Sequence, residues 1–241
     1  MSPCVCWCRQ LALYAKGFWP ATTDYAHRVG KTCISSRRQF AKSAAPRWMS
    51  ILAPRRLASR CKKNPPPYEK ARAAFRYEGS AAALVKRLKF SDRPELARLL
   101  APFMVRAGQD VLRANALLVP VPLHRRRLLG RRFNQAAELC RAMARETGNE
   151  IVFQAVQRVK ATRPQIGLTR RNRKRNLKGA FTVPKSMKDR IQGRSLVLVD
   201  VVLTTGATVE AMSETLRQAG AGRINVLTLA RVVRPEQMRA S

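Results

Sequence analysis

The sequence predicts an α/β protein, a parallel sheet with helices on both faces. Three observations carry this. "SLVLVDV" (195–201) and "INVLTLARVV" (224–233) are almost unbroken apolar runs, as in strands buried on both faces. Between them, "ATVEAMSETLRQAG" (207–220) sets Val209, Met212, Leu216 and Ala219 on one helical face and closes on Gly220. Strand, helix, strand in that order makes a βαβ unit with a right-handed crossover.

The remaining elements follow along the chain. Residues 1–63 hold a single acid, Asp24, and show no sustained helical or strand period. Two readings stand: a disordered basic arm, or a segment outside the native reading frame of its gene. Comparing the three frames of the DNA upstream of Pro65 separates them. Residues 64–241 read as the folded domain. "PPPY" (65–68) is a stiff connector. "ARAAFRYE" (71–78) alternates like a strand. "SAAALVKRLKF" (80–90) and "DRPELARLLAPFMVRAGQDVL" (92–112) have helical spacing, with Ser80 and Asp92 as N-caps. "ALLVPVP" (116–122) is a short buried strand. "NQAAELCRAMARETG" (134–148) is a helix that Asn134 can cap and Gly148 closes.

Composition bounds the partners. The chain has 241 residues, 46% of them hydrophobic, enough for a real core. No apolar run approaches the roughly 20 residues of a membrane span. Lys and Arg number 48 against 14 acids, a net charge of +34. Such a field attracts polyanions, whether nucleic acid, phosphorylated small molecules or anionic lipid. The six cysteines are irregularly spaced, and C-x-C-x-C at Cys4, Cys6 and Cys8 is not the paired spacing of zinc sites. Zinc is not expected, and a reducing cytoplasm is the expected location.

The chemistry concentrates in "VLVDVVLTTGAT" (197–208). Ligands of open parallel sheets gather at the carboxyl ends of the strands. Asp200 stands at such an end, and Thr204, Thr205, Gly206, Ala207 and Thr208 lead into a helix. A helix N-terminus presents free N–H groups and positive dipole charge to an anion. Gly206 allows close backbone approach, and the threonines add hydroxyl donors. A phosphate fits the turn, and a carboxylate nearby fits sugar hydroxyls. Together they describe a ribose 5-phosphate group. The plain alternative is a Thr-rich N-cap turn beside an ordinary Asp.

This stretch resembles the phosphoribosyl pyrophosphate motif of type I phosphoribosyltransferases. "VPVPLHRRRLLGRRFNQA" (119–136), "PQIGLTRRNRKRNLKGAF" (164–181) and "VLTLARVV" (226–233) resemble one branch, the amidophosphoribosyltransferase-like ComF family. The resemblance runs from about Pro65 to Val233. It implies the type I phosphoribosyltransferase fold, with Asp200 holding the ribose hydroxyls and Thr204 to Thr208 wrapping the 5-phosphate. It makes Val121, Pro122 and Leu123 the pyrophosphate loop. It makes the basic stretch around Arg170, Arg171, Arg173, Lys174 and Arg175 a lid, with Arg173 the catalytic cation meeting the departing pyrophosphate. A solvated basic loop or a nucleic-acid contact is the equal alternative for that stretch. Mg²⁺ would accompany the substrate near Asp200. The family's N-terminal zinc ribbon is not matched by residues 1–63, which read as at most a degenerate one. His124 reads as a structural or phosphate contact. Arg131, Arg132, Phe133, Asn134 and Gln135 resemble a family signature.

One departure matters. The motif usually carries a second acid where Val201 stands. An acid often found at the position of Thr204 in purine-type relatives is also absent, which argues against a purine acceptor. Two functions are therefore expected to compete. One is transfer of the phosphoribosyl group to ammonia, an amine or a base. The other is a non-catalytic competence protein that assists DNA uptake, with single-stranded DNA or competence proteins as partners.

Overall fold

The computed structural model describes residues 65–90, 93–123, 133–160, 176–177 and 179–233. The segment 1–63, Asp92, His124, the Arg131–Arg132 pair and the whole lid stretch, with Arg170, Arg171, Arg173, Lys174 and Arg175, lie outside them.

Among the described residues, six strands and five helices follow in order: β1 Lys70–Arg76, α1 Gly79–Phe90, α2 Leu96–Ala107, β2 Leu117–Pro120, α3 Gln135–Thr147, β3 Gln157–Arg158, β4 Phe181–Thr182, α4 Lys185–Ile191, β5 Leu196–Leu203, α5 Ala207–Gln218 and β6 Ile224–Arg231. Four strands form one sheet in the order β1-β6-β5-β2. Every pairing in it is parallel. β3 and β4 form a separate antiparallel pair. The predicted parallel α/β architecture is thus present, with β5 and β6 buried at the centre as their apolar runs require.

Helices cover both faces. On one, Leu84, Leu88, Leu100, Met104, Leu139 and Met143 of α1, α2 and α3 close over Val197, Val199, Leu227 and Leu229. On the other, Val209, Met212 and Leu216 of α5 pack with Leu196, Leu198 and Val226, joined by Phe181 and Ile191. Each cluster removes a continuous apolar surface from water, the main favourable term in folding.

α3 matches its expected ends. Asn134 Oδ1 accepts from Ala136 N–H at 3.1 Å, and Gly148 closes the helix at φ +72°. Ser80 does not cap α1. The helix begins one residue earlier, at Gly79, and Ala81 N–H already donates to Glu78 O at 3.1 Å. α2 is shorter than its spacing suggested. It starts at Leu96 after Glu95, which makes no side-chain cap, and ends at Ala107, with Gly108 as its C-cap. β3, β4 and α4 were not anticipated.

α1 takes an unusual course. It leaves the end of β1, at one edge of the sheet. At its other end, Lys89 O accepts from Gln135 Nε2 at 3.4 Å, at the start of α3. Asn134 Nδ2 in turn donates to Val121 O at 3.1 Å, at the end of β2. β1 and β2 occupy opposite ends of the four-strand order. α1 therefore crosses the sheet along its carboxyl edge.

Candidate functional site

The predicted turn forms where expected. β5 ends at Leu203, and Thr204, Thr205 and Gly206 lead directly into α5. Gly206 has φ +82°, the left-handed region that favours glycine. A Cβ there would lie 3.3 Å from Glu210 Oε1 and 3.8 Å from Tyr68 OH. No side chain caps α5. Thr205 Oγ1 is shut off from solvent and has no hydrogen-bond partner. Buried hydroxyls are normally paired, so this one marks a place where an acceptor is missing. Thr204 is exposed, Thr208 half-buried and Ala207 buried.

Asp200 lies three residues before the end of β5, because the strand runs on through "VVL". Its Oδ1 accepts from the Val201 N–H at 2.7 Å. Burial pushes its carboxyl above the usual carboxylate range, against the pull of the Val201 N–H, Lys89, the Val202 N–H and Arg158. Lys89 and Arg158 were not among the expected site residues. Lys89 reaches the site because α1 crosses the carboxyl edge. Arg158 reaches it from β3 and stacks over the Phe181 ring at 5.6 Å. No sequence motif flags either one; both are single cations brought in by tertiary structure.

Val201 is a core residue. It is 6% exposed and belongs to the apolar cluster beneath α1, α2 and α3, with Val197 and Val199. The position of the motif's second acid is here filled by packing.

Val121, Pro122 and Leu123 follow β2 directly. Val121 N–H donates to Val199 O at 2.9 Å, next to Asp200 in β5. The structure thus joins three of the predicted groups at one edge: Asp200, the 204–208 turn and the 121–123 turn. Asn134 does two jobs there, capping α3 and holding Val121 O. Away from this edge, a cleft of about 520 Å³ opens beside α5, lined by Phe181, Thr182, Lys188, Glu214 and Gln218. It shares no residue with the predicted site. Among the described residues, no helix is long and apolar enough to cross a membrane.

Comparison with profiles of known families finds no match. Individual relatives do match. DNA utilization protein YhgH of Salmonella typhimurium is 32% identical over 236 residues, covering 96% of this chain and 98% of that protein. Its Escherichia coli K12 counterpart is 33% identical over 239 residues, with the same coverage. Competence protein F of Haemophilus influenzae is 35% identical over 176 residues, 71% of this chain and 76% of that one. Among solved structures, the allosteric regulatory enzyme of purine biosynthesis aligns at TM-score 0.39 and 18% identity, over 60% of this chain and 30% of that one. A Staphylococcus aureus hypoxanthine phosphoribosyltransferase aligns at TM-score 0.36 and 14% identity, over 60% and 66%. This chain spans less than a third of the purine enzyme's length.

Proposed function

The chain belongs to the ComF family, with DNA utilization protein YhgH and competence protein F as relatives, and from that premise we propose that it binds phosphoribosyl pyrophosphate. The observation that carries this is the buried, unpartnered Thr205 hydroxyl in an uncapped glycine turn, at the carboxyl end of a parallel strand that bears Asp200. The turn offers donors to the 5-phosphate. Asp200 offers its carboxylate to the ribose hydroxyls. Lys89 and Arg158 add positive charge beside it, and Arg170, Arg171, Arg173 and Lys174 of the lid would add more over the pyrophosphate. One carboxylate together with substrate phosphates is a donor set that Mg²⁺ accepts. Asp200 would hold the ion, which supplies neutralising charge to the pyrophosphate.

In the transfer reaction, the C1–O bond to pyrophosphate breaks and the acceptor nitrogen's lone pair forms the C1–N bond. The acceptor loses one proton, and pyrophosphate leaves with the bonding electrons. Asp200 orients the sugar, and the cations stabilise the leaving group.

Calorimetric titration of phosphoribosyl pyrophosphate with Mg²⁺ tests this. The native chain should bind. Thr205→Val should bind about tenfold more weakly, and Asp200→Ala should lose measurable binding. A folded native chain that takes up no ligand, or two variants that bind as it does, would end the proposal.

The relatives' names and the +34 charge favour a second reading, a non-catalytic competence protein that handles single-stranded DNA. It predicts DNA binding that Asp200→Ala leaves intact and that falls steeply with salt.

A further inference from the structure

The carboxyl edge holds another pair of cations that the phosphoribosyl reading does not use. Arg76 ends β1, Arg231 ends β6, and the two are register partners. Arg231 is also paired with Leu203, the residue before the Thr204–Thr208 turn. Tyr77 N–H donates to Arg231 O at 2.9 Å, and Val232 N–H to Leu203 O at 2.9 Å. The backbone therefore locks three strand ends side by side. Neighbouring strands lie about 4.8 Å apart, so Arg231 stands about 5 Å from the end of β5 and Arg76 about 10 Å.

Residues paired directly across strands are close neighbours on one face, and like charges so placed repel. Elsewhere in the molecule Lys70, Arg72, Arg141, Arg190 and Arg223 all reach carboxylates. Among the described residues, Arg76 and Arg231 do not. Glu78, the acid nearest in sequence, forms an ion pair with neither. Arg76 Nε is moreover shut off from solvent with no acceptor. A buried donor left unpaired is costly. Two arginines paired across neighbouring strand ends, one with a buried donor that has no acceptor, suit an oxyanion, which a guanidinium's planar fork binds in a bidentate manner.

We propose that Arg76 and Arg231 form an oxyanion subsite that receives the carboxylate or phosphate of the second substrate, the acceptor. The role as acceptor rests on the phosphoribosyl reading; binding of an oxyanion there does not. The subsite lies one strand away from the turn, so an acceptor held by its anionic group sits next to the ribose rather than on it.

The test uses the full chain, with Arg76→Gln, Arg231→Gln and Thr205→Val alongside it. Inorganic phosphate and benzoate are titrated separately, and phosphoribosyl pyrophosphate with Mg²⁺ is titrated in parallel. At least one of the two simple anions should bind in a step that each arginine variant weakens about tenfold and that Thr205→Val leaves alone. Phosphoribosyl pyrophosphate affinity should be unchanged in the arginine variants. Which anion binds tells carboxylate from phosphate. Thermal melting checks the fold, and the exposed Arg231 carries the test if Arg76→Gln does not fold. The subsite is refuted if neither anion binds, or if the arginine variants bind them like the native chain. It is refuted equally if the arginine variants lose phosphoribosyl pyrophosphate, since the pair then belongs to that site. If only the simple anions bind, in an arginine-dependent step, the phosphoribosyl reading falls and the anion site stands.

Discussion

Asp200 is held against its own charge. Its folded pKa lies above the ordinary value of 3.8 because burial penalises the carboxylate. Below 3.8 the group is protonated in both states and contributes no penalty. The penalty grows as pH rises from there to the folded value and stays constant above it. Asp200→Asn keeps the Oδ1 acceptor for Val201 N–H and removes the charge. It should raise the melting temperature at pH 7, and the gain should shrink toward pH 3, as thermal melts at both pH values would register. Val201→Asp should act in the opposite direction, placing a carboxylate among Val197, Val199 and the helices above them. We expect a loss of about 2–3 kcal/mol in urea unfolding at pH 7. An unfolding midpoint matching the native chain would show that the position opens to the ligand. The Asp-to-Thr-Gly turn was legible in sequence because it is local: strand, turn and cap all fall within "VLVDVVLTTGAT". Lys89 and Arg158 were not, since only the fold brings them to Asp200. Nor was the packing of Val201, because alternation alone does not tell which face of a doubly covered strand meets the ligand.

At the scale of the element, Asn134 separates two roles. Its Oδ1 caps α3 while its Nδ2 holds the Val121 carbonyl. Asn134→Asp keeps the cap and loses the donor. Asn134→Ala loses both. The alanine variant should cost about 1 kcal/mol of stability and the aspartate variant less. Both should weaken pyrophosphate binding in a calorimetric titration if the 121–123 turn is a binding loop. A drop in stability with unchanged binding would leave the residue purely a cap. Gly206→Ala should destabilise by about 1 kcal/mol through its positive φ alone, as denaturant unfolding would measure. The long elements were legible because their apolar periods span several turns or strand repeats. β3, β4 and α4 were not: two residues give no period, and α4 buries only Ile191. The Ser80 expectation failed because a cap residue signals a boundary only to within a residue or so.

At the scale of the whole molecule, one ion-pair cluster ties the sheet to its helical cover. Arg72 reaches Asp110 through Nε at 3.1 Å and Nη2 at 2.6 Å, and Lys70 joins at 3.2 Å. Burial alone would raise the Asp110 carboxyl, but Arg72 and Lys70 outweigh it and hold it below 3.8. Its contribution is therefore present above 3.8 and lost as pH falls through the lower folded value. Because Asp110 is partly exposed, the amount is at most about 1 kcal/mol. Asp110→Asn should lower the melting temperature slightly at pH 7, and the difference should shrink as pH falls below 3.8. The parallel α/β class was legible from the apolar runs of β5 and β6. The strand order was not, because periodicity carries no information about which strands become neighbours.

That order has a consequence for synthesis. β6 comes last of the described strands, yet it lies between β1 and β5, and Thr228 Oγ1 bonds Arg72 O across 156 residues at 3.3 Å. A chain emerging from the ribosome can make β1 early but cannot pair it until nearly everything else has been translated. Until then two strand edges stand open, the kind of surface that recruits other chains. A message cut short before residue 224 would thus yield a sheet missing a middle strand, a product fit for aggregation or proteolysis and not for partial function.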